Sequence, residues 1–138
     1  MDFNFMESDS TDFDSETYIQ ILIAIAKADK DNGPKEFEYV RKKAQHLRVD
    51  YDLFLATTEK TFDLSKQRVS RLTALAVLKD AIMIASMDRN FSLPEREKVY
   101  TFAGKLDISR KDVDYLEEFL KDYRSLRQKW DGLVAGNY

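Results

Sequence analysis

A chain of 138 residues has the length of one domain and buries roughly two-thirds of the surface its unfolded form exposes, enough for a core without staples. With no cysteine, disulfides and thiolate metal sites are excluded, and four glycines and two prolines are few for an all-β fold. Twenty-two Lys and Arg against 25 Asp and Glu leave a net charge of −3, which gives no reason to expect nucleic acid as a partner.

The first sixteen residues carry six acids (Asp2, Glu7, Asp9, Asp12, Asp14 and Glu16) and no base, with Phe3, Phe5 and Phe13 among them. Two readings stand: a solvated, flexible acidic tail over residues 1–15, or an acidic-aromatic segment that docks on a basic surface. Asp14 or Ser15 can cap a first helix, in which Ile19, Leu22, Ile23 and Ala26 fall on one face. Ile21, Ile25 and Ala28 widen that stripe, so this helix is expected to be buried on most sides. Asn32, Gly33 and Pro34 signal a turn, and a second helix from Pro34 presents Phe37, Val40, Ala44 and Leu47.

Asp50 can cap a short third helix over residues 51–58. After a break near Phe62 to Ser65, a long central helix is expected from Lys66 to Met87, apolar around much of its girth from Leu72 to Ile84. Ser92, Pro94 and Glu95 combine a capping box with an early proline, a specific start signal for the next helix. Ser109 caps the last, whose inner stripe is Val113, Leu116, Phe119, Leu120, Tyr123 and Leu126, extended by Trp130. Residues 131–138 are expected to fray. The longest apolar run, Ile21 to Ala26, is far short of the ~20 residues of a membrane span. No leader pattern precedes it, so a cytoplasmic location is the expectation.

The chain also repeats. Shifted by 59 positions, residues 24–49 align without a gap on residues 83–108, with eight of 26 pairs identical. The identities are Ile25/Ile84, Ala26/Ala85, Asp29/Asp88, Glu36/Glu95, Glu38/Glu97, Val40/Val99, Ala44/Ala103 and Leu47/Leu106. The apolar matches follow from packing, since each helix–loop–helix unit must bury the same face. The acidic matches need another cause. Asp29, Asp31 and Glu36 in one unit, and Asp88, Asn90 and Glu95 in the other, gather oxygen donors around one interhelical turn each. Such donors suit a hard divalent cation of the Ca²⁺ or Mg²⁺ type. They equally suit helix caps and first-turn carboxylates placed by the helix dipole. An EF-hand does not fit, because its sixth and twelfth positions counted from Asp29 hold Pro34 and Val40.

A buried helix ending in Ala28-Asp29 or Met87-Asp88, with a Glu seven residues on, resembles the TerB tellurite-resistance family. Val40/Ala44/Leu47 and Val99/Ala103/Leu106 repeat the apolar pattern that follows it there. The resemblance covers about residues 16–127. It implies an all-α, compact bundle of six to seven helices with two pseudo-symmetric helix–loop–helix halves, within a domain spanning 16–130. It also implies metal-associated acids at Asp29, Glu36, Asp88 and Glu95, and a role in stress or tellurite response. The family usually has Gly after the Asp, where this chain has Lys30 and Arg89, cations able to pair with the carboxylates.

No enzyme chemistry is legible. His46 is the single histidine and sits among Lys42, Lys43 and Arg48, as on a solvated basic helix face. No Gly-rich phosphate loop is present. The alternative to a cation-binding module is a metal-free protein-interaction scaffold, using the acidic tail or the basic face from Arg41 to Lys43.

Overall fold

The computed structural model describes residues 13–28, 33–59, 62–86 and 91–138, and throughout these the fold is all-helical. Helix α1 (Ser15–Ala28) is held at its start by Asp14, whose carboxylate accepts from the Thr17 backbone N–H at 3.1 Å. Helices α2 (Pro34–Leu47) and α3 (Tyr51–Thr57) follow, then a 3-10 turn at Leu64–Lys66. Helix α4 (Arg71–Ala85) is central, α5 (Leu93–Lys105) follows, and α6 (Arg110–Ala135) is the longest. Asp50, Ser92 and Ser109 cap α3, α5 and α6 as their sequence positions require.

The two most buried helices, α1 and α4, pack on each other. Around α1 lie α2 and α3; around α4 lie α5 and α6. Tyr18, Ile19, Ile21, Leu22 and Ile23 of α1 interleave with Ala74, Val77, Leu78 and Ile82 of α4 to form the core. Val40, Ala44, Val99 and Ala103 seal it from the sides.

The repeat extends to the backbone. Arg48 and Asp107, 59 positions apart, are the non-glycine residues at positive φ among those described, at 58° and 59°. Each ends the second helix of its unit, and the next amide closes the turn in the same way: Val49 N–H donates to Ala44 O at 2.9 Å, Ile108 N–H to Ala103 O at 2.8 Å. This is the 6→1 bond of a left-handed helix stop.

Two boundaries differ from the sequence reading. The central helix begins at Arg71 rather than Lys66, because Ser70 caps it by accepting from the Thr73 N–H at 3.1 Å. At the other end α6 continues past Trp130 to Ala135 and stops at Gly136, whose φ of 76° suits glycine.

One polar cluster lies inside the core. Asp80 of α4 is fully buried; the Tyr18 hydroxyl of α1 donates to one carboxylate oxygen and the Tyr39 hydroxyl of α2 to the other. Lys79, 3% exposed, holds its Nζ 3.4 Å from the same carboxylate. Burying a carboxylate is tolerable only with such partners, and removing one side of a buried pair leaves the other charge uncompensated. Asp80→Ala should therefore lower stability by about 3–5 kcal/mol in urea unfolding, and Tyr39→Phe by about 1.5–3 kcal/mol. A loss below about 1 kcal/mol for Asp80→Ala would remove this cluster as a support of the fold.

Candidate functional site

Between the two units lies a cavity of about 410 Å³. Its walls pair residues 59 positions apart: Leu22 with Ala81, Ile25 with Ile84, Ala26 with Ala85, and Glu36 with Glu95. Thus α1 and α4 supply the apolar floor, while the first turns of α2 and α5 each bring one glutamate to the rim. Ser92, Lys98 and Phe102 add to the α5 side.

Each glutamate is engaged at its own helix start. Glu36 Oε2 accepts from the Gly33 backbone N–H at 2.6 Å. Glu95 Oε1 accepts from the Ser92 hydroxyl at 2.8 Å, and that hydroxyl in turn accepts from the Glu95 N–H at 3.3 Å. The capping role is therefore real for both. It occupies one oxygen of each carboxylate among the described contacts, and the second oxygen remains for another partner. The Lys98 ammonium shares the cavity, so its described walls carry two carboxylates against one cation.

Of the six residues singled out by the repeat, the structure brings Glu36 and Glu95 to this one cavity. Asp29, Asp31, Asp88 and Asn90 lie outside the described residues. In sequence they fall between residues that do line the cavity, Ala26 and Glu36 in one unit and Ala85 and Glu95 in the other. Among the described residues, no three His, Cys, Asp or Glu side chains form a group able to hold a metal ion.

The basic face of α2 is partly spent internally. Arg41 forms an ion pair with Glu38 one turn away, which holds the Glu38 carboxyl below its usual range. Lys43 stands over the Tyr39 ring, 5.9 Å from its centroid. His46 is exposed.

A second concavity was not legible in sequence. Helices α4 and α6 run side by side from their starts and leave an apolar groove of about 310 Å³. Leu72, Leu75 and Ala76 form one wall, Leu116 and Phe119 the other, with Tyr115 at the edge. Arg71 and Asp112 bridge its upper end at 3.2 Å. Among the described residues no helix is long and apolar enough to cross a membrane. No family model, curated protein or solved structure matches the chain.

Asp112 titrates as a probe of the groove's upper end. A hydrogen bond with Ser109, and next the bond from Arg71, hold its carboxyl below the usual range. A depressed folded-state value stabilises the fold above the unfolded pKa of about 4, and that contribution is lost as pH falls through the folded value. Asp112→Asn should accordingly be less stable than wild type near pH 7, with the difference closing below about pH 4. Urea unfolding across that range checks this; a difference independent of pH would exclude the charge as its source.

Proposed function

We propose that this chain is a non-catalytic binding module of TerB-like organisation, and that the cavity between its two units is the place where a divalent cation of the Ca²⁺ or Mg²⁺ type binds. One observation carries the reading: Glu36 and Glu95, matched in the repeat, border the same cavity. Two carboxylates from separate units facing one space are what a shared oxygen-ligand site requires, whereas helix capping alone would be served as well by two separate surfaces. Asp29, Asp31, Asp88 and Asn90, which precede the two glutamates in sequence, are the candidates for the remaining oxygens. A binding rather than catalytic role is supported by the setting of His46, exposed beside Lys42 and Arg48 and away from the cavity walls.

Thermal melts of metal-free protein with Ca²⁺, Mg²⁺ or Mn²⁺ test this. A cation at about 100 times its Kd adds roughly 2.7 kcal/mol, a rise of several degrees for this length. The rise should vanish in Glu36→Gln/Glu95→Gln and in Asp29→Asn/Asp88→Asn. No rise in wild type, or a rise that persists in both double variants, overturns the site.

A second reading, a metal-free interaction scaffold, is favoured by α6. At 1.5 Å per residue this helix is about 39 Å long. Beyond Tyr123 it exposes Leu126, Trp130, Leu133 and Val134 at helical spacing. Single exposed apolar residues are ordinary, but a stripe of four on one projecting face suits a partner helix. On this reading Leu126→Glu/Leu133→Glu leaves the melt within about 0.5 kcal/mol of wild type and abolishes recovery of the partner in pull-downs. A partner retained by that variant would place the contact elsewhere.

A further inference from the structure

Two apolar surfaces of this chain lie open on the same helix. One is the α4/α6 groove, in which Leu116 and Phe119 form the α6 wall. The other is the projecting end of α6, where Leu126, Trp130 and Leu133 are 46%, 40% and 55% exposed. They belong to one row: Leu116, Phe119, Tyr123, Leu126, Trp130 and Leu133 follow one another at alternating steps of three and four. That spacing is the seam of a two-helix coiled coil, here about 26 Å long at 1.5 Å per residue. Helix α4 flanks the first two positions, and the last three face solvent.

We propose, on the interaction-scaffold reading of α6, that its partner is a second copy of this chain. The two seams pair antiparallel about a twofold axis near Ser125 and Leu126, and each projecting end lies in the other copy's α4/α6 groove. In that register Trp130 meets Phe119 of the second copy, Leu133 meets its Leu116, and Leu126 meets its Tyr123. The twofold makes every contact occur twice. A part-exposed tryptophan between leucines is the kind of side chain that dominates an interface once a groove buries it.

Charge selects this arrangement. Asp122 and Lys129 stand about two turns apart on one flank of the seam, and among the described residues neither is in an ion pair. Arg127, on the other flank, is held by Asp131 at 3.4 Å and plays no part. An antiparallel pair sets like flank against like flank, which brings Asp122 of each copy opposite Lys129 of the other. A parallel pair would instead set Lys129 against Val134, stack Trp130 on its own copy, and leave both grooves open.

Sedimentation equilibrium of the full chain over a range of concentrations tests this, with the emission of Trp130, the single tryptophan, as a second readout. Wild type is expected to dimerise, and the Trp130 emission to move to shorter wavelength as it does. Asp122→Lys and Lys129→Asp should each weaken self-association by about tenfold, because both symmetric contacts turn repulsive. An equimolar mixture of the two variants should recover wild-type affinity as a heterodimer, since the lysines of one copy then face the aspartates of the other. Circular dichroism verifies that helix content is unchanged in both. A monomer at all concentrations overturns the dimer and leaves the interaction-scaffold reading with a foreign partner. A dimer indifferent to the single variants, one that the mixture fails to restore, or one whose Trp130 emission stays fixed overturns this arrangement as well.

Discussion

The buried carboxylate of Asp80 constrains this fold more than any other group. A charge with no exposed surface is tolerated only where donors meet it, and here they come from three helices: Tyr18 on α1, Tyr39 on α2, and Lys79 on α4 itself. Apolar packing alone fixes the separation of helices but leaves their rotation and register loosely specified. The Asp80 contacts fix both for the first three packed faces, because each oxygen takes one hydroxyl from one neighbour. The cavity inherits that registration, since Ala81, Ile84 and Ala85 follow Asp80 on the same helix and Leu22, Ile25 and Ala26 follow Tyr18 on its own.

This cluster is also where the two units part company. At the positions 59 residues away, Tyr18 becomes Val77, Asp80 becomes Ile21 and Tyr39 becomes Lys98. Backbone turns at Arg48 and Asp107 are kept, while the polar core is present once. The unit that lacks the tyrosine puts a lysine into the cavity instead. The matched positions of the two units thus carry different groups, tyrosines that meet Asp80 in one and a cavity-lining lysine in the other.

Much of the helical plan is legible in the sequence. Asp50, Ser92 and Ser109 begin helices where short polar residues precede apolar periodicity, and the buried stripes of α1 and α4 follow from their composition. Other features left no local signal. Glycine is the usual mark of a left-handed helix stop, yet Arg48 and Asp107 occupy those stops, so the turn is visible only through the repeat. The late start of α4, at Arg71 where a start at Lys66 was expected, depends on the Ser70 bond to Thr73. Lys79 and Asp80 stand inside a helix that the sequence marks only as apolar. The meaning of that pair needed the tyrosines of two other helices, which no spacing rule brings together. The groove between α4 and α6 is likewise a product of packing direction, not of any motif.

The placing of Glu36 and Glu95 sharpens how a cation would have to bind. Lys98 lines the same cavity, so the described walls sum to a single negative charge and attract an ion only weakly at a distance. Lys30 and Arg89, beside the aspartates in sequence, pull in the same direction. Affinity would therefore depend on direct coordination by oxygens, which rewards the higher charge and defined ligand number of a divalent ion over a monovalent one. Capping does not compete with this. Gly33 and Ser92 each engage one oxygen of their glutamate among the described contacts, so the caps would orient the two carboxylates for a shared ligand.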